Sequence, residues 1–282
     1  MKAKSIKGKS PEAIHTALQE NMADGFTPTL AIVFASVSQD REAICRLFTK
    51  AGITVFGATT NGEFIDEDPD QDSAAVLLLD MNTNHFSILF ESFEGDTYRE
   101  TAGRLASQAT GVFPEVGFLL AISGAATDGE EVLKGLQEVA GEEINAFGGG
   151  AGDDYGFKQT FVFSNHFDSD RGIVMLAIDE TKVKIKGIAT CGWKAVGTEK
   201  TVTKSEGNHV YTIDNIPALD ITAKFGGIEN LNPDNEKLMI EIASNFPLQL
   251  QREKGDPVMR PGLVVDWNDR SFFTSGTVPQ GS

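Results

Sequence analysis

From Ala146 to Phe157 the chain reads AFGGGAGDDYGF, in which three consecutive glycines precede two aspartates and an aromatic residue. A short apolar strand is predicted just before these glycines. Earlier in the chain, the residues from Phe56 to Phe64 read FGATTNGEF and follow another predicted strand. Loops at the carboxyl ends of sheet strands commonly form the binding sites of α/β proteins. We therefore predict that the two loops face each other across one cleft.

The pattern of apolar residues around these loops is repeated along the chain. Each loop follows a strand, a helix and a second strand, and further strands come after it, so both runs have the order β-α-β-β-β. Ser36 and Ser123 occupy corresponding places at the end of the first strand of each run. Unbroken apolar strands of this kind are typical of sheets covered on both faces. We predict an α/β fold of mixed sheets with flanking helices, internally duplicated over about 29–92 and 116–190.

Three further segments complete this expectation for the first part of the chain. The acidic run IDEDPDQDS, at 65–73, predicts an exposed loop. The run at 85–92 is interpreted as the last strand of the first repeat. The run KVKIKGIAT, at 182–190, predicts a strand in the second repeat.

The sequence changes in character towards its end. A helix is predicted from Pro217, and it is closed by Gly226 and Gly227, since glycine readily adopts the left-handed conformation of a helix end. Short strands and turns follow, and the sequence stops just after one of them. We therefore predict one α/β domain over 1–205 and a partial, truncated α+β domain over 206–282.

Composition limits the classes of partner. The chain has 24 Lys and Arg against 41 Asp and Glu, a net charge of −17, which repels nucleic-acid phosphates and anionic lipids. Its apolar runs are far too short to cross a bilayer. Two cysteines, Cys45 and Cys191, are too few for a disulfide framework or a tetrahedral zinc site. We predict a cytoplasmic protein that neither binds nucleic acid nor inserts into membranes.

The glycine stretch is compatible with several kinds of chemistry. A dinucleotide-binding loop would need glycine where Asp153 stands, and adjacent carboxylates repel phosphate. Asp153 and Asp154, helped by Glu63, could hold a divalent cation through oxygen ligands. The four histidines lack metal-ligand spacing. A hydrolase or divalent-metal enzyme using the cleft between the repeats therefore stays open as the alternative, but we assign no catalytic residue, metal ligand or cofactor.

A small polar ligand held without chemistry fits the residues better. Backbone amides of a glycine-rich turn can bind a carboxylate, while Glu63 and Asp153 could bind an ammonium group. In a purely structural interpretation, the glycines only permit close strand packing and the carboxylates face water. A protein-interaction scaffold is a third possibility. The candidate ligand-binding residues are Thr59, Thr60, Asn61, Glu63, Gly149, Gly150, Gly152, Asp153 and Asp154.

The two loops resemble the paired signatures of a known family. GATTNGE at Gly57–Glu63 and FGGGAGDD at Phe147–Asp154 are similar to motifs of the FIST sensory domain, its amino-terminal half (FIST N) in particular. GNHVYTIDNIPALD at Gly207–Asp220 resembles the junction into the carboxy-terminal half, FIST C. NFPL, VMR and VPQGS, which follow later, are similar to motifs of FIST C, of which the sequence covers only part.

This resemblance implies an input module of bacterial signal transduction. Such modules occur alone or with a kinase, a chemoreceptor or a cyclic-nucleotide cyclase as output, and amino acids have been proposed as their ligands. No general catalytic activity is established for the family. Ala58 stands where the family often has a small polar or sulfhydryl residue, which argues against a reactive role at that position.

Overall fold

The computed structural model describes residues 1–66, 68–124, 127–154, 156, 158–188, 192–235, 238, 241–252 and 257–282. Cys191 lies outside the described residues. The chain divides into two compact units. The first comprises Met1–Gly124 with Val132–Gly187, and the second comprises Ala125–Glu131 with Ile188–Ser282.

The first unit contains two successive series of elements. The first series is β1 (Ala3–Gly8), α1 (Pro11–Met22), β2 (Leu30–Ala35), α2 (Arg41–Lys50), β3 (Thr54–Thr59), β4 (Glu63–Ile65), β5 (Asp68–Asp70) and β6 (Ala74–Leu79). The second series is β7 (Phe86–Ser92), α3 (Tyr98–Val112), β8 (Val116–Ile122), α4 (Gly129–Ala140), β9 (Asn145–Gly150), β10 (Val162–Ser164), β11 (Phe167–Ser169) and β12 (Gly172–Asp179).

The two series build sheets with the same strand order and directions. The first sheet contains β1-β6-β2-β3 and the second contains β7-β12-β8-β9. In each, the last two strands are parallel and the other pairs are antiparallel. The hairpin β10-β11 extends the first sheet, because β10 pairs with β3. The predicted α/β class with mixed sheets is confirmed.

The first unit has three apolar core regions, one between the two sheets and one between each sheet and the helices that cover it. Apolar side chains between the two sheets include Leu30, Phe56 and Leu176. Helices α1 and α2 cover the outer face of the first sheet, where Phe48 is fully buried. Helices α3 and α4 cover the second sheet in the same way, around Leu105. The layers are therefore helix, sheet, sheet, helix. Burial of a phenylalanine side chain such as that of Phe48 stabilises the fold by about 1.5–3 kcal/mol.

Local sequence fixes where the first helices begin. The Ser10 hydroxyl accepts a hydrogen bond from the Ala13 amide at 3.2 Å, and Pro11 occupies the first helical position. The Asp40 carboxylate accepts one from the Ala43 amide at 2.9 Å. Both side chains satisfy amides that the first turn of a helix leaves without a partner.

Strand β7 belongs to the second sheet, whereas the sequence pattern groups the run at 85–92 with the first repeat. It pairs antiparallel with β12 from Phe86 to Ser92 and precedes α3, as β1 precedes α1 in the first series. The unit common to both sheets therefore begins one strand earlier than 29 and 116. An apolar pattern indicates that a strand exists, but it does not identify the strand's partner.

The acidic segment at 65–73 is predicted to be an exposed loop. In the structure, part of it instead forms the short hairpin β4-β5. One lysine in β1 and one just after it form ion pairs with two aspartates of this hairpin. Lys7 Nζ lies 2.6 Å from Asp68 Oδ2, and Lys9 Nζ lies 2.7 Å from Asp70 Oδ1. Because these charges are paired across the chain, the acidic run can adopt an extended pairing that its composition disfavours.

No strand forms among the described residues of the predicted strand at 182–190. Val183 and Ile185 still pack against the core between the sheets. The Ile185 carbonyl accepts a hydrogen bond from Asn145 Nδ2 at 2.9 Å, so a side chain satisfies it in place of a neighbouring strand. The apolar residues of this segment therefore indicate correctly that it is buried, but it is buried without pairing as a strand.

The second unit is α+β in character. Its elements are β13 (Val202–Glu206), β14 (His209–Ile213), β15 (Ile216–Pro217), α5 (Ala218–Gly226), β16 (Leu248–Leu250), β17 (Val258–Arg260), β18 (Gly262–Asp266) and β19 (Ser271–Thr274). The main sheet has the order β13-β14-β19-β18, and α5 packs on it through Leu219 and Phe272. Gly227, with φ of 65°, ends α5 as predicted. In the parts of the chain that the structure describes, no helix has the length and apolar composition to cross a membrane.

Cys45 is expected to be unreactive in the folded protein. It is buried on α2, and this burial raises the pKa of its thiol to about 12. At pH 8 roughly one thiol in ten thousand is then the reactive thiolate. Alkylation with iodoacetamide, followed by peptide mass spectrometry, should leave Cys45 unmodified in buffer and modify it in denaturant. Rapid labelling of Cys45 in buffer would contradict the buried position.

Candidate functional site

The two glycine-containing loops are joined directly by hydrogen bonds. The Gly152 amide donates to the Thr59 carbonyl at 2.7 Å, and the Asp154 amide donates to the Thr60 carbonyl at 3.2 Å. Between them, the Asp153 amide donates to Asn61 Oδ1 at 2.9 Å. The carboxyl ends of β3 and β9, one from each sheet, therefore meet at one place in the first unit.

The first three glycines of the stretch lie in strand β9 and not in the loop. At Gly148, where φ is 152°, a Cβ atom would stand 2.1 Å from the Leu120 carbonyl oxygen. Only glycine allows β9 to pair with β8 at this distance. At Gly149 and Gly150 a Cβ atom would meet no described atom within 4 Å, so both positions face open space.

The later glycine of the stretch serves the contact between the loops. A Cβ atom on Gly152 would lie 2.5 Å from Asn61 Oδ1 and 2.9 Å from the Asn61 amide nitrogen. The Ala151 amide next to it donates to the Ile122 carbonyl at 2.8 Å and so continues the pairing with β8. Because successive amides of a strand point to opposite sides, the Gly150 amide is directed away from β8.

Glu63 is buried, with 2% of its surface exposed. Its Oε1 accepts a hydrogen bond from Thr60 Oγ1 at 2.7 Å. Its Oε2 accepts hydrogen bonds from Ser73 Oγ at 3.1 Å and from the Ser73 amide at 3.3 Å. The carboxylate thus ties the loop after β3 to the start of β6, and these bonds offset the cost of burying a charge.

The two aspartates have different environments. Asp153, 7% exposed, accepts hydrogen bonds at Oδ2 from the Lys158 and Gln159 amides at 2.6 and 3.0 Å. Asp154 is less buried, and its Oδ2 accepts bonds from Ser36 Oγ at 2.6 Å and the Val37 amide at 3.2 Å. Asp153 therefore stabilises its own turn, whereas Asp154 connects this loop to the end of β2.

The structure brings the predicted residues together but orients their carboxylates inward. Of the three carboxylates, Asp154 is the one that a molecule in solvent reaches most directly. Thr59 is buried, and its hydroxyl accepts a bond from the Phe161 amide at 2.9 Å. Thr60 is half-buried and Asn61 is exposed. Tyr155 and Phe157, which complete the quoted stretch, lie outside the described residues.

Two residues of this network, Ser36 and Ser73, were not among the predicted site residues. Ser36 is fully buried at the end of β2, and its amide donates to the Ser73 carbonyl at 2.9 Å. Ser123 holds the same place after β8, where its amide donates to the Gly172 carbonyl at 2.9 Å. The correspondence between Ser36 and Ser123 in the sequence was the signal that could have identified this position.

The described residues bring one group of potential metal ligands together. His209, Asp266 and Asp269, in the second unit, have ligand atoms within 4.8 Å of one another. Burial lowers the pKa of His209, against the opposing charges of Asp269 and Asp266. Glu63, Asp153 and Asp154 do not form such a group in the described part of the chain. The predicted alternative of a divalent cation at the loops therefore lacks a gathered set of carboxylates.

The first unit is thus a four-layered α/β domain in which strand-end loops of two similar sheets interlock. A family model for the FIST N domain matches residues 29–216, about two thirds of the chain. The chain belongs to the FIST N domain family, a family of sensory, ligand-binding domains of signal transduction. No curated protein matches the chain significantly.

Proposed function

We propose that this chain senses a small polar ligand, an amino acid, at the junction of the loops after β3 and β9. The observation that carries this proposal is the convergence of three strand ends, those of β2, β3 and β9, on Asp154 and its partners. Ligands of α/β proteins commonly bind beyond the carboxyl ends of the strands. Open space above Gly149 and Gly150 lies on the same loop connection.

The two charged groups of an amino acid have suitable counterparts here. The ammonium group binds Oδ1 of Asp154. The hydrogen bonds from the Ser36 hydroxyl and the Val37 amide are both accepted by the other oxygen, Oδ2. The carboxylate group binds the outward-directed amide of Gly150, in the space that the missing side chains of Gly149 and Gly150 leave open next to Gly152. Each hydrogen bond to a charged group contributes about 1.5–3 kcal/mol. A few of them suffice for micromolar affinity if the site is preformed.

The remaining predicted residues hold the site in place. Glu63 and Asp153 are buried and fix the conformations of the two loops, while Thr59, Thr60 and Asn61 join them. This assignment differs from the expectation that Glu63 and Asp153 receive the ammonium group, because neither carboxylate is exposed enough to do so without loop movement.

The same carboxylate offers a route from binding to signal. An ammonium group bound at Asp154 Oδ1 attracts the same carboxylate whose Oδ2 accepts from the Ser36 hydroxyl, and so changes the link between β2 and the loop after β9. A ligand that binds one arrangement of this link more tightly shifts the population towards it. We infer that a bacterial kinase, chemoreceptor or cyclase in the cytoplasm receives this change. We further infer that the two series arose by duplication.

A thermal-shift screen of the twenty amino acids tests the proposal. At about 100 times its dissociation constant, a ligand should stabilise the fold by about 2.7 kcal/mol and raise Tm by about 5–10 °C. Asp154→Asn should weaken a hit about tenfold, and Asp68→Asn, an exposed control, should not. Failure of every amino acid to stabilise the protein, or an unchanged affinity in Asp154→Asn, would overturn the proposal.

A further inference from the structure

The second unit contains a pocket that is separate from the loops described above. Its volume is about 580 Å³, and all of its lining residues lie within 193–282. This volume is within the range of pockets that bind small molecules. Most of the lining is apolar, with walls that include Trp193, Phe225, Phe246 and Met259.

One polar atom of the residues that line the pocket has no hydrogen-bond partner among the described residues. Thr222, on α5, is 7% exposed, and its Oγ1 makes no hydrogen bond with any described residue. A helical threonine usually satisfies its hydroxyl by donating to the carbonyl one turn earlier. A buried hydroxyl without a partner destabilises a fold, so such groups are rare unless a ligand or water completes them. In this rotamer Oγ1 is itself inaccessible to solvent, but Thr222 lines the pocket, so rotation about its Cα–Cβ bond brings the hydroxyl to a bound acceptor.

The aromatic walls are held in position by the backbone. A Cβ atom on Gly226 would lie 2.7 Å from the Phe246 ring, and one on Gly197 would lie 3.2 Å from the Phe225 ring. Both rings therefore pack directly against main chain. Trp193 and Phe225 each keep 46% of their surface exposed, which is a large apolar area to leave in contact with water.

We propose that this pocket binds a small aromatic molecule that carries a hydrogen-bond acceptor, such as a ketone, amide or carboxylate. The ring packs against Trp193 and Phe225, and the acceptor takes the hydrogen bond from Thr222 Oγ1. Aromatic faces supply apolar area and stacking, whereas the single hydroxyl selects for the acceptor. This site goes beyond the amino-acid function proposed above, because none of its residues belongs to the loops.

Two probes of nearly the same shape test the assignment. Acetophenone has a carbonyl oxygen where isopropylbenzene has a methyl group. Binding is followed by the fluorescence of Trp193 in a Trp267→Phe background. Acetophenone should bind saturably, and Thr222→Val should weaken it about tenfold. The affinity for isopropylbenzene should not fall in Thr222→Val, since valine keeps the shape of threonine.

Further variants keep the test decisive. Thr222→Ser retains the hydroxyl and should preserve the affinity for acetophenone. Thr222→Val should also raise Tm of the unliganded protein, because it removes an unsatisfied buried group. A hydroxyl that was satisfied in solution would instead lower Tm when removed. Failure of acetophenone to bind saturably, or equal affinities in Thr222→Val and the parent, would overturn the proposal.

The two proposals fail separately. Asp154→Asn should leave acetophenone binding unchanged, and Thr222→Val should leave an amino acid bound at the loops unaffected. An aromatic amino acid whose binding depends on Thr222 and not on Asp154 would support the pocket and count against the loop site.

Discussion

Gly148→Ala is expected to destabilise the first unit by about 3 kcal/mol. The new methyl group would lie 2.1 Å from the Leu120 carbonyl oxygen, at a φ of 152° that side chains rarely adopt. Overpacking of this kind costs about 1–3 kcal/mol and backbone strain adds a similar amount. The neighbouring atom is main chain of β8, so it cannot move aside without breaking the pairing of β8 with β9. Urea unfolding followed by circular dichroism measures the loss.

Gly149→Ala is the matched control on the same strand. A Cβ atom there meets no described atom within 4 Å, so the substitution should change stability by no more than about 0.5 kcal/mol. Alanine restricts the unfolded chain more than glycine does, and this contribution favours the folded state. If both variants lost the same free energy of unfolding, β9 would not approach β8 as closely at Gly148 as the structure shows.

Glu63→Ala is expected to cost about 3 kcal/mol. The substitution leaves the Thr60 hydroxyl and both donors of Ser73 facing a buried space without an acceptor. Each buried group left unsatisfied costs about 1–3 kcal/mol, although water entering the space recovers part of this. The loop after β3 should then lose its fixed position, which amide hydrogen exchange at 60–63 would detect.

Asp68→Ala tests whether the effect comes from burial and not from charge. Asp68 lies on the same β4-β5 hairpin, and its side chain is 79% exposed where it pairs with Lys7. Removing an exposed ion pair should leave the unfolding midpoint almost unchanged. If both variants lost equal stability, a stabilising role for the buried hydrogen bonds of Glu63 would be untenable.

The order of helices and strands could be predicted because each is signalled locally. Ser10 and Asp40 mark helix starts in their own neighbourhood, and β2 is a single apolar run. The pairing of strands could not be predicted in the same way. Strand β7 follows β6 closely in the chain, yet it joins the other sheet, a choice made by packing across the whole domain.

The candidate site shows the same division. Glycine and small polar residues at two strand ends indicated that the loops belong together, and the hydrogen bonds from Gly152 and Asp153 join them. The partners of the carboxylates were not foreseeable. Ser36 and Asp154 are 118 residues apart, and no local pattern reports a contact at that separation. Sequence therefore located the loops, whereas the direction in which their acidic groups point depends on the tertiary structure.

The β10-β11 hairpin belongs by sequence to the second series but completes the first sheet. Phe163 of β10 is fully buried in the core beneath α1 and α2, and Gly57 of β3 leaves room for its ring. Cutting the gene between residues 79 and 86 would therefore not release two self-sufficient proteins. The amino-terminal fragment would lack the β10-β11 hairpin at the edge of its sheet and the Phe163 ring in its core. It would therefore need the carboxy-terminal fragment in order to fold completely.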